Sequence, residues 1–183
     1  SRVSITTESN LIHDCSTGLY ANYEGGSNIG ASGTPVFNNN LIYQNSSVGI
    51  RIRHSYSYYS YSKTISTALY GNTVSNNSTG IKIERAGNGL ILPTLTMNTI
   101  TGNSGRGISL ENTSSAVILY NDIRGNGDTA LYLNSSGTSC VYHNNFDNEH
   151  SWELYNDNGA AVDARYNWWG TAATNQMESG NNP

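Results

Sequence analysis

The stretch Asn121–Leu133, which reads NDIRGNGDTALYL, carries a pattern that recurs along almost the whole chain. Written as N-x-[IV]-x-x-N-x-x-x-G-[IL]-x-[IL], it has copies that begin at Asn10, Asn40, Asn72, Asn98, Asn121, more degenerately at Asn144 and, in truncated form, at Asn167. The last four starts are 23 residues apart, whereas the earlier steps are 30, 32 and 26 residues, so insertions lie in the first half. A repeat of this length predicts a solenoid, in which each copy contacts its neighbours.

Each copy contains short runs in which apolar and polar residues alternate, as in Gly80-Ile81-Lys82-Ile83. Alternation over four or five residues between Asn, Gly and Ser turns predicts β-strands. A second strand lies two residues after each leading Asn, and a third lies three residues before it. Three short strands per turn predict an all-β chain with the layout of a parallel β-helix. We expect one domain over residues 1–183, in which residues 171–183 form a C-terminal tail or linker.

Two Asn positions recur at fixed corners of the copy. Their side-chain amides can bond the backbone of the turn and the equivalent amide of the next copy, which predicts two ladders along the stack. The second ladder should contain Asn45, Asn77, Asn103 and Asn126, with interruptions at Cys15 and Glu149. The extra length of the early copies falls after the Gly-led strand, in residues 22–35, 53–66 and 84–93. Because the three insertions share one corner, we expect a ridge, and such ridges often bind partners.

Charge and apolar content exclude several classes of partner. Charged residues make up 12% of the chain, the net charge is −4 and the lysines are Lys63 and Lys82, so no basic stripe is available for nucleic acid. No stretch approaches the ~18 apolar residues of a membrane span. Cys15 and Cys140 are predicted to lie five rungs apart, about 24 Å, which is too far for a disulfide. We therefore expect two separate, buried thiols.

Two copies near the C-terminus carry a more specific signature, in residues 143–148 (HNNFDN) and 166–170 (YNWWG). With them, residues 10–170 resemble the right-handed parallel β-helix repeat family. The resemblance implies a right-handed, single-stranded parallel β-helix of about seven rungs. Similar Asn-Trp-Trp-Gly rungs close segments of large extracellular and cell-surface proteins of bacteria and archaea. The resemblance thus implies a piece of a larger surface protein. The fold is shared with pectate lyases and mannuronan epimerases, whose catalytic motifs cannot be placed here residue by residue.

Outward positions on the Gly-led strands should form columns, because successive rungs stack in register. One column reads Tyr20, Arg51, Lys82, Ser109, Tyr132 and Glu153, and its neighbour reads Asn22, Arg53, Glu84, Glu111, Asn134 and Tyr155. Glu84 and Glu111 should lie about 5 Å apart, close enough for one carboxyl group to raise the pKa of the other. Together with Lys82 and Arg51 they are candidate catalytic residues for a uronate sugar. The alternative is a solvated sheet face whose opposite charges pair.

Residues 53–62 have the most unusual local composition, because tyrosine alternates there with serine. The segment could present flat rings for sugar stacking and hydroxyl groups for hydrogen bonds. It could also cover the side of the solenoid or contact a neighbouring chain, and both interpretations stay open. The predicted ligand-binding residues are Tyr56, Tyr58, Tyr59 and Tyr61 from this segment, with Tyr20, Arg51, Lys82 and Tyr132 from the first column.

No cofactor or metal site is predicted. The four histidines lie in separate copies without metal-ligand spacing and are assigned to surface turns: His13, His54, His143 and His150. Calcium is a minor alternative at residues 157–159 with Asp163, or at residues 126–128, but the carboxylates are few and ordinary Asx turns are favoured. The three tryptophans are assigned to a hydrophobic cap over the last rung: Trp152, Trp168 and Trp169.

Three functions remain open on the sequence. We favour a non-catalytic extracellular or cell-surface module that binds a polysaccharide or surface glycan, or that contacts neighbouring protein modules. The first alternative is a polysaccharide lyase or epimerase acting on uronate-containing glycans through Lys82, Arg51, Glu84 and Glu111. The second alternative is a purely structural spacer or assembling subunit.

Overall fold

The structure, a computed structural model, describes residues 2–3, 5–24, 32–55, 63–148 and 152–178. Within these ranges the chain forms twenty-one short strands and one helix. They are β1 (Arg2–Val3), β2 (Thr6–Glu8), β3 (Leu11–His13), β4 (Thr17–Tyr23), β5 (Ser32–Gly33), β6 (Val36–Asn38), β7 (Leu41–Tyr43), β8 (Val48–His54), β9 (Thr64–Tyr70), β10 (Thr73–Ser75), β11 (Thr79–Arg85), β12 (Leu90–Thr96), β13 (Thr99–Thr101), β14 (Ile108–Thr113), β15 (Val117–Leu119), β16 (Asp122–Arg124), β17 (Leu131–Ser135), β18 (Ser139–Tyr142), β19 (Asn145–Asp147), β20 (Leu154–Asn156), β21 (Val162–Asp163) and α1 (Gly170–Glu178).

The strands form three parallel sheets that run along the stack. Sheet A joins β1, β5, β9, β12, β15, β18 and β21, with β2 and β6 beside them. Sheet B joins β3, β7, β10, β13, β16 and β19, and sheet C joins β4, β8, β11, β14, β17 and β20. Neighbours in each sheet come from successive copies of the repeat, so the chain is a parallel β-helix with three strands per rung, as predicted.

The stack is slightly shorter than the predicted seven rungs. In the described ranges, sheets B and C hold six strands each. The truncated copy that opens at Asn167 adds a single bridge, between Asn145 and Trp168, and the chain then enters α1. Residues 171–183, which the sequence assigned to a tail or linker, thus begin as a helix that contacts β19. No helix in the described ranges has the length and apolar character needed to cross a membrane.

The core consists of stacked inward side chains from the three sheets. The sheet B row begins with half-buried Ile12 and continues with five fully buried side chains, Ile42, Val74, Ile100, Ile123 and Phe146. Each such side chain contributes roughly 1.5–3 kcal/mol through burial. The corner before sheet C is tight: a Cβ added to Gly80 would lie 2.5 Å from the carbonyl oxygen of Gly107 in the next rung. Glycine is therefore required there by close packing between rungs.

Both Asn ladders are present. In the first, each side-chain amide donates to the Oδ1 of the next copy, at 2.9 Å from Asn40 to Asn72 and from Asn98 to Asn121. The second ladder extends beyond the predicted set, because Asn148 accepts a hydrogen bond from the backbone N–H of Asn126 at 2.8 Å. The predicted interruption at Glu149 is wrong, because the step from Asn126 to Asn148 is 22 residues, one fewer than the repeat. Glu149 itself lies outside the described residues.

The early insertions lengthen the strands at one corner. Strands β8, β9, β11 and β12 have seven residues each, and the added inward positions extend the core with His54, Ile65 and Ile91. His54 is 1% exposed, so its assignment to a surface turn is wrong, and burial followed by the charge of Arg85 lowers its pKa. The loop residues 25–31 and 56–62 lie outside the described residues, and the predicted ridge stays a prediction.

The predicted burial of the thiols is wrong. Cys15 is exposed and Cys140 is half-buried. Strand alternation explains Cys140, because the neighbouring Val141 takes the inward position in β18. Cys15 lies in the turn between β3 and β4, which are the edge strands of sheets B and C, so no described rung covers its outer side.

One of the three tryptophans caps the core as predicted. The Trp169 ring stacks on fully buried Phe146, with ring centroids 5.0 Å apart. The same assignment is wrong for the other two, since Trp168 is 44% exposed and Trp152 is 61% exposed. Trp152 lies just before β20, at the end of sheet C.

Candidate functional site

The outer face of sheet C carries the predicted column of polar and aromatic side chains. Register pairs join Tyr20 to Arg51, Arg51 to Lys82, Lys82 to Ser109 and Ser109 to Tyr132. The last position differs, because Tyr132 pairs with Tyr155 rather than Glu153. Leu154 lies beside Leu131 at the regular 23-residue step, so the predicted column is wrong by two residues at its last position.

An ion-pair network occupies the middle of this face. Arg51 Nη2 lies 2.5 Å from Glu84 Oε1, and Arg53 Nε lies 3.8 Å from the same atom. Lys82 Nζ bridges the two predicted carboxylates, at 3.3 Å from Glu84 and 2.9 Å from Glu111. The four weak catalytic candidates are therefore together, but each is bound to a partner of opposite charge.

The expected rise in carboxyl pKa does not occur at Glu84. Its side chain is 13% exposed, and burial alone would raise its pKa. Hydrogen bonds from Arg51 and Lys82, together with their charges, outweigh burial, and the net pKa of Glu84 is lowered. The cations between the rungs thus remove the repulsion on which the sequence argument rested.

A second charged group lies one rung towards the C-terminus. Arg106, in the turn before β14, donates from Nη1 to Ser109 Oγ at 3.1 Å and lies 3.7 Å from Glu111. Its Nε lies 3.5 Å from an Asp128 carboxylate oxygen. The guanidinium carbon sits 3.6 Å from the Tyr132 ring centroid, a close cation–π contact.

These groups form one wall of a cleft at the C-terminal end of sheet C, which we call the aromatic cleft. It measures about 290 Å³ and is lined by Arg106, Asp128, Thr129, Tyr132, Trp152 and Tyr155. This volume is at the lower end of ligand sites, which suits a small ring rather than a large cofactor.

Aromatic rings complete the lining of the cleft and continue the stack that begins at Arg106. The rings of Tyr132 and Tyr155 stack at 5.9 Å, and Trp152 lies tilted against Tyr155 at 6.2 Å. Since Arg106 covers one face of Tyr132 and Tyr155 covers the other, the open ring surface belongs to Trp152 and Tyr155, which are 61% and 42% exposed. Exposed rings at such density mark contact surfaces.

Tyr132 is further held by Asp157. The hydroxyl group of Tyr132 donates to Asp157 Oδ2 at 2.5 Å, and Asn134 Nδ2 donates to the same oxygen at 3.2 Å. The hydrogen bond to Asp157, followed by burial, raises the pKa of Tyr132, and the same bond lowers the pKa of Asp157. The phenol therefore acts as a fixed wall of the cleft at neutral pH.

The family of the chain is shown by a match to a known family model. The family model described as periplasmic copper-binding protein (NosD) matches residues 2–182. The chain belongs to the NosD family. No curated protein and no solved structure matches it. The periplasmic description agrees, at a coarse level, with the predicted location outside the cytoplasm.

The description of the NosD family names copper, which is bound by clusters of donor side chains. In the described ranges, no three His, Cys, Asp or Glu side chains come together as ligands. His13 and Cys15 share one turn, where His13 Nδ1 bonds Asp14 at 2.7 Å and Cys15 Sγ donates to the His13 carbonyl oxygen at 3.4 Å. Copper centres combine several His, Cys or Met ligands, and this turn supplies one imidazole and one thiol.

The calcium candidates of this NosD-family chain are also engaged by other partners. Asp163 accepts two hydrogen bonds from Arg165 at 2.8 Å, and its pKa falls to about 2. Asp157 and Asp128 contact Tyr132 and Arg106 respectively. Asn158 Oδ1 accepts the backbone N–H of Ala160 at 3.0 Å, which is the Asx turn favoured from the sequence.

Two other surfaces of the NosD-family chain are weaker candidates. A larger groove of about 410 Å³ follows the corner between sheets B and C, and it is lined by Gln44, Asn45, Ser46, Asn76, Asn77, Ser78, Gly102 and Ser104. It offers no aromatic or charged side chain, and two of its amides are consumed by the second Asn ladder. The stack of Tyr120, His143 and Tyr166, at 5.1 and 5.6 Å, turns its ring faces towards one another. Its exposed edges give little stacking area to a ligand.

Sequence reasoning found only part of the aromatic cleft. It singled out Tyr132 as a ligand-binding residue, but it assigned Trp152 to the cap, Asp128 to a turn and Tyr155 to the neighbouring column, and it left Arg106 out. Arg106, Asp128 and Trp152 lie outside the strands, where the repeat does not fix side-chain directions, whereas the 23-residue step does place Tyr155 against Tyr132. One sequence signal pointed to Arg106. It directly precedes Gly107, the corner residue after which the sheet C strand begins.

Proposed function

We propose that this chain is a non-catalytic glycan-binding module that works outside the cytoplasm, in the periplasm or at the cell surface, and that the aromatic cleft is its binding site. The supporting observation is that two exposed rings, Trp152 and Tyr155, line the same cleft as the charged pair Arg106 and Asp128. Aromatic faces contact the C–H faces of sugars, and the charged groups exchange hydrogen bonds with sugar hydroxyls. Both requirements meet in one cleft of ligand size.

The column that leads away from the cleft supports an extended site. Tyr20, Arg51 and Lys82 lie on the same outer face, so a glycan that starts in the cleft could continue along sheet C. Tyr20 is 51% exposed and Arg51 lies 5.5 Å from its ring centroid. Tyr56, Tyr58, Tyr59 and Tyr61 lie outside the described residues and stay predictions for the same function.

Binding is favoured over the lyase or epimerase alternative by the state of the candidate catalytic groups. A general base needs an accessible lone pair, and a general acid needs a pKa near the working pH. Lys82 lies between two carboxylates, and the pKa of Glu84 is lowered by its cationic neighbours. The set is therefore held in ion pairs suited to shaping a surface.

A glycan array separates the proposed function from the spacer alternative. We expect wild type to bind a defined set of glycans and Trp152→Ala to weaken that binding roughly tenfold or more, since a lost ring contact and its burial amount to about 1.5 kcal/mol or above. Trp168→Ala is the matched control, because it removes an exposed tryptophan at the end of sheet B. Absence of wild-type binding across the array, or equal binding by Trp152→Ala, would refute the proposal.

A further inference from the structure

We infer that the aromatic cleft selects neutral sugar units and discriminates against uronates and other anionic sugars. The inference rests on the proposed glycan-binding function and adds the chemical class of the ligand. It also opposes the substrate class of the enzymatic alternative, which requires a uronate.

The charge beside the cleft is the first reason. Arg106 is the cation among the lining residues, and Asp128 is the lining carboxylate. A second carboxylate, Asp157, binds the hydroxyl group of Tyr132 directly behind the ring wall. The cleft and its wall therefore carry one guanidinium and two carboxylates, and an incoming carboxylate is repelled by the excess negative charge.

The engagement of Arg106 is the second reason. Arginine recognises a carboxylate by presenting two parallel N–H groups to its two oxygens. In Arg106, one face is covered by Tyr132, Nη1 donates to Ser109 and lies 3.7 Å from Glu111, and Nε lies 3.5 Å from Asp128. A uronate would have to displace a carboxylate that is already in place.

In the part of the sheet C face that the structure describes, Arg51, Arg53 and Lys82 are already paired with carboxylates, Arg53 more loosely than the other two. Arg51 and Arg53 lie within 4.0 Å of Glu84, and Lys82 lies within 4.0 Å of both Glu84 and Glu111. Glu84 is largely buried, so breaking these pairs would leave a buried carboxylate without its partner. The network therefore resists exchange with an external anion.

A neutral sugar fits the groups that remain. The Asp128 side chain is 57% exposed and still has acceptor capacity beyond Arg106 and the Thr129 hydroxyl group, which donates at 3.3 Å. Hydroxyl-to-carboxylate bonds are charge-assisted and short. A pyranose could place its C–H face on Trp152 and a pair of hydroxyl groups on Asp128. We therefore assign to Asp128 the role of hydroxyl acceptor.

The test begins with an array of neutral, uronate and sulfated glycans. The best ligand is then compared with its own C6 counterpart: a neutral glycan is oxidised at C6 to the uronate, and a uronate is reduced to the alcohol. Titration calorimetry measures both members with wild type, Trp152→Ala and Asp128→Asn. We expect the neutral member to bind at least roughly tenfold more tightly to wild type, as a like charge a few ångströms away predicts. We expect Asp128→Asn to weaken neutral binding and to narrow this ratio.

The outcomes distinguish the two proposals. If the uronate member binds wild type as tightly as the neutral member or more tightly, and Trp152→Ala abolishes that binding, the inference is overturned while the glycan-binding function stands. If no glycan binds wild type, both proposals fall. Asp128 is exposed and its replacement by Asn keeps the shape, so an unchanged neutral-to-uronate ratio in a folded Asp128→Asn variant also contradicts the inference.

Discussion

Asn98→Ala tests whether the first Asn ladder holds the rungs together. Asn98 is 1% exposed, and its Oδ1 accepts hydrogen bonds from the backbone N–H and the side-chain amide of Asn72, at 3.0 and 2.9 Å. Its own amide donates to the carbonyl oxygens of Leu69 and Thr96 and to Asn121 Oδ1, at 3.0, 3.2 and 2.9 Å. One side chain therefore joins three rungs and bonds the backbone of two.

The cost of Asn98→Ala can be estimated from these contacts. The backbone N–H of Asn72 loses its acceptor, and an orphaned buried donor costs about 1–3 kcal/mol. The side-chain amide of Asn72 keeps its bond to the Phe37 carbonyl oxygen, so that group is only partly affected. The bonds donated by Asn98 add roughly 0.5–1.5 kcal/mol each. We expect a loss of about 3–5 kcal/mol in the free energy of unfolding, once the smaller cost of burying alanine is set against it.

Denaturant unfolding followed by far-UV circular dichroism measures this loss. Asn10→Ala is the matched control, because Asn10 belongs to the same ladder but is exposed, and its amide donates only to Glu8 O and Asn40 Oδ1. We expect that variant to lose about 1 kcal/mol or less. Equal losses in the two variants, or a loss below about 1 kcal/mol for Asn98→Ala, would show that the ladder is a consequence of stacking and contributes little to stability.

Two further predictions concern pH. The lowered pKa of Glu84 means that its ion pairs stabilise the fold above the unfolded value of 4.5 and that this contribution is lost as the pH falls through the folded pKa. Glu84→Gln should therefore cost about 1 kcal/mol at pH 7, a modest value because Arg51 and Lys82 are partly exposed, and progressively less as the pH is lowered below 4.5, as measured by unfolding across this pH range. Glu153 behaves in the opposite sense: burial, and then the charge of Asp147, raises its pKa, although the N–H of Asn148 opposes the shift. The contribution of Glu153 to folding stability is greatest below pH 4.5 and is lost as the pH rises through the folded pKa. Glu153→Gln should therefore unfold at a higher temperature than wild type at pH 7 and at the same temperature near pH 4. A pH-independent difference would contradict either interpretation.

The register of the sheets follows from the spacing of the repeat. Equivalent residues of successive copies pair in a parallel solenoid, so the 23-residue step that places Asn98 against Asn121 also places Ile100 against Ile123. The same reasoning correctly placed Tyr20, Arg51 and Lys82 in one column despite the insertions. The insertions did not change the register of this column, because they fall at one corner and lengthen the strands there.

The last rung shows where pattern reading fails. Trp152-Glu153-Leu154 imitates the alternation of apolar residues that marks the sheet C strand. A shift of two residues preserves which side chains point inward, so alternation alone cannot detect it. The 23-residue step of the repeat decides the register, because it pairs Leu131 with Leu154 and leaves Trp152 exposed before the strand. In this register Tyr155 stacks on Tyr132, and Trp152 lines the same cleft.

The sequence by itself determined the solenoid, its three strands per rung, the two Asn ladders and the order of residues in the columns, because all of these depend on periodic spacing. Tertiary structure alone decided the pairing of Lys82 with two carboxylates, the burial of His54 and the meeting of Arg106, Asp128 and Trp152 in one cleft. Side chains in turns are oriented by contacts with neighbouring rungs, and no repeat pattern records that direction. The features that distinguish this NosD-family chain from a plain β-helix therefore come from the positions its repeat leaves free.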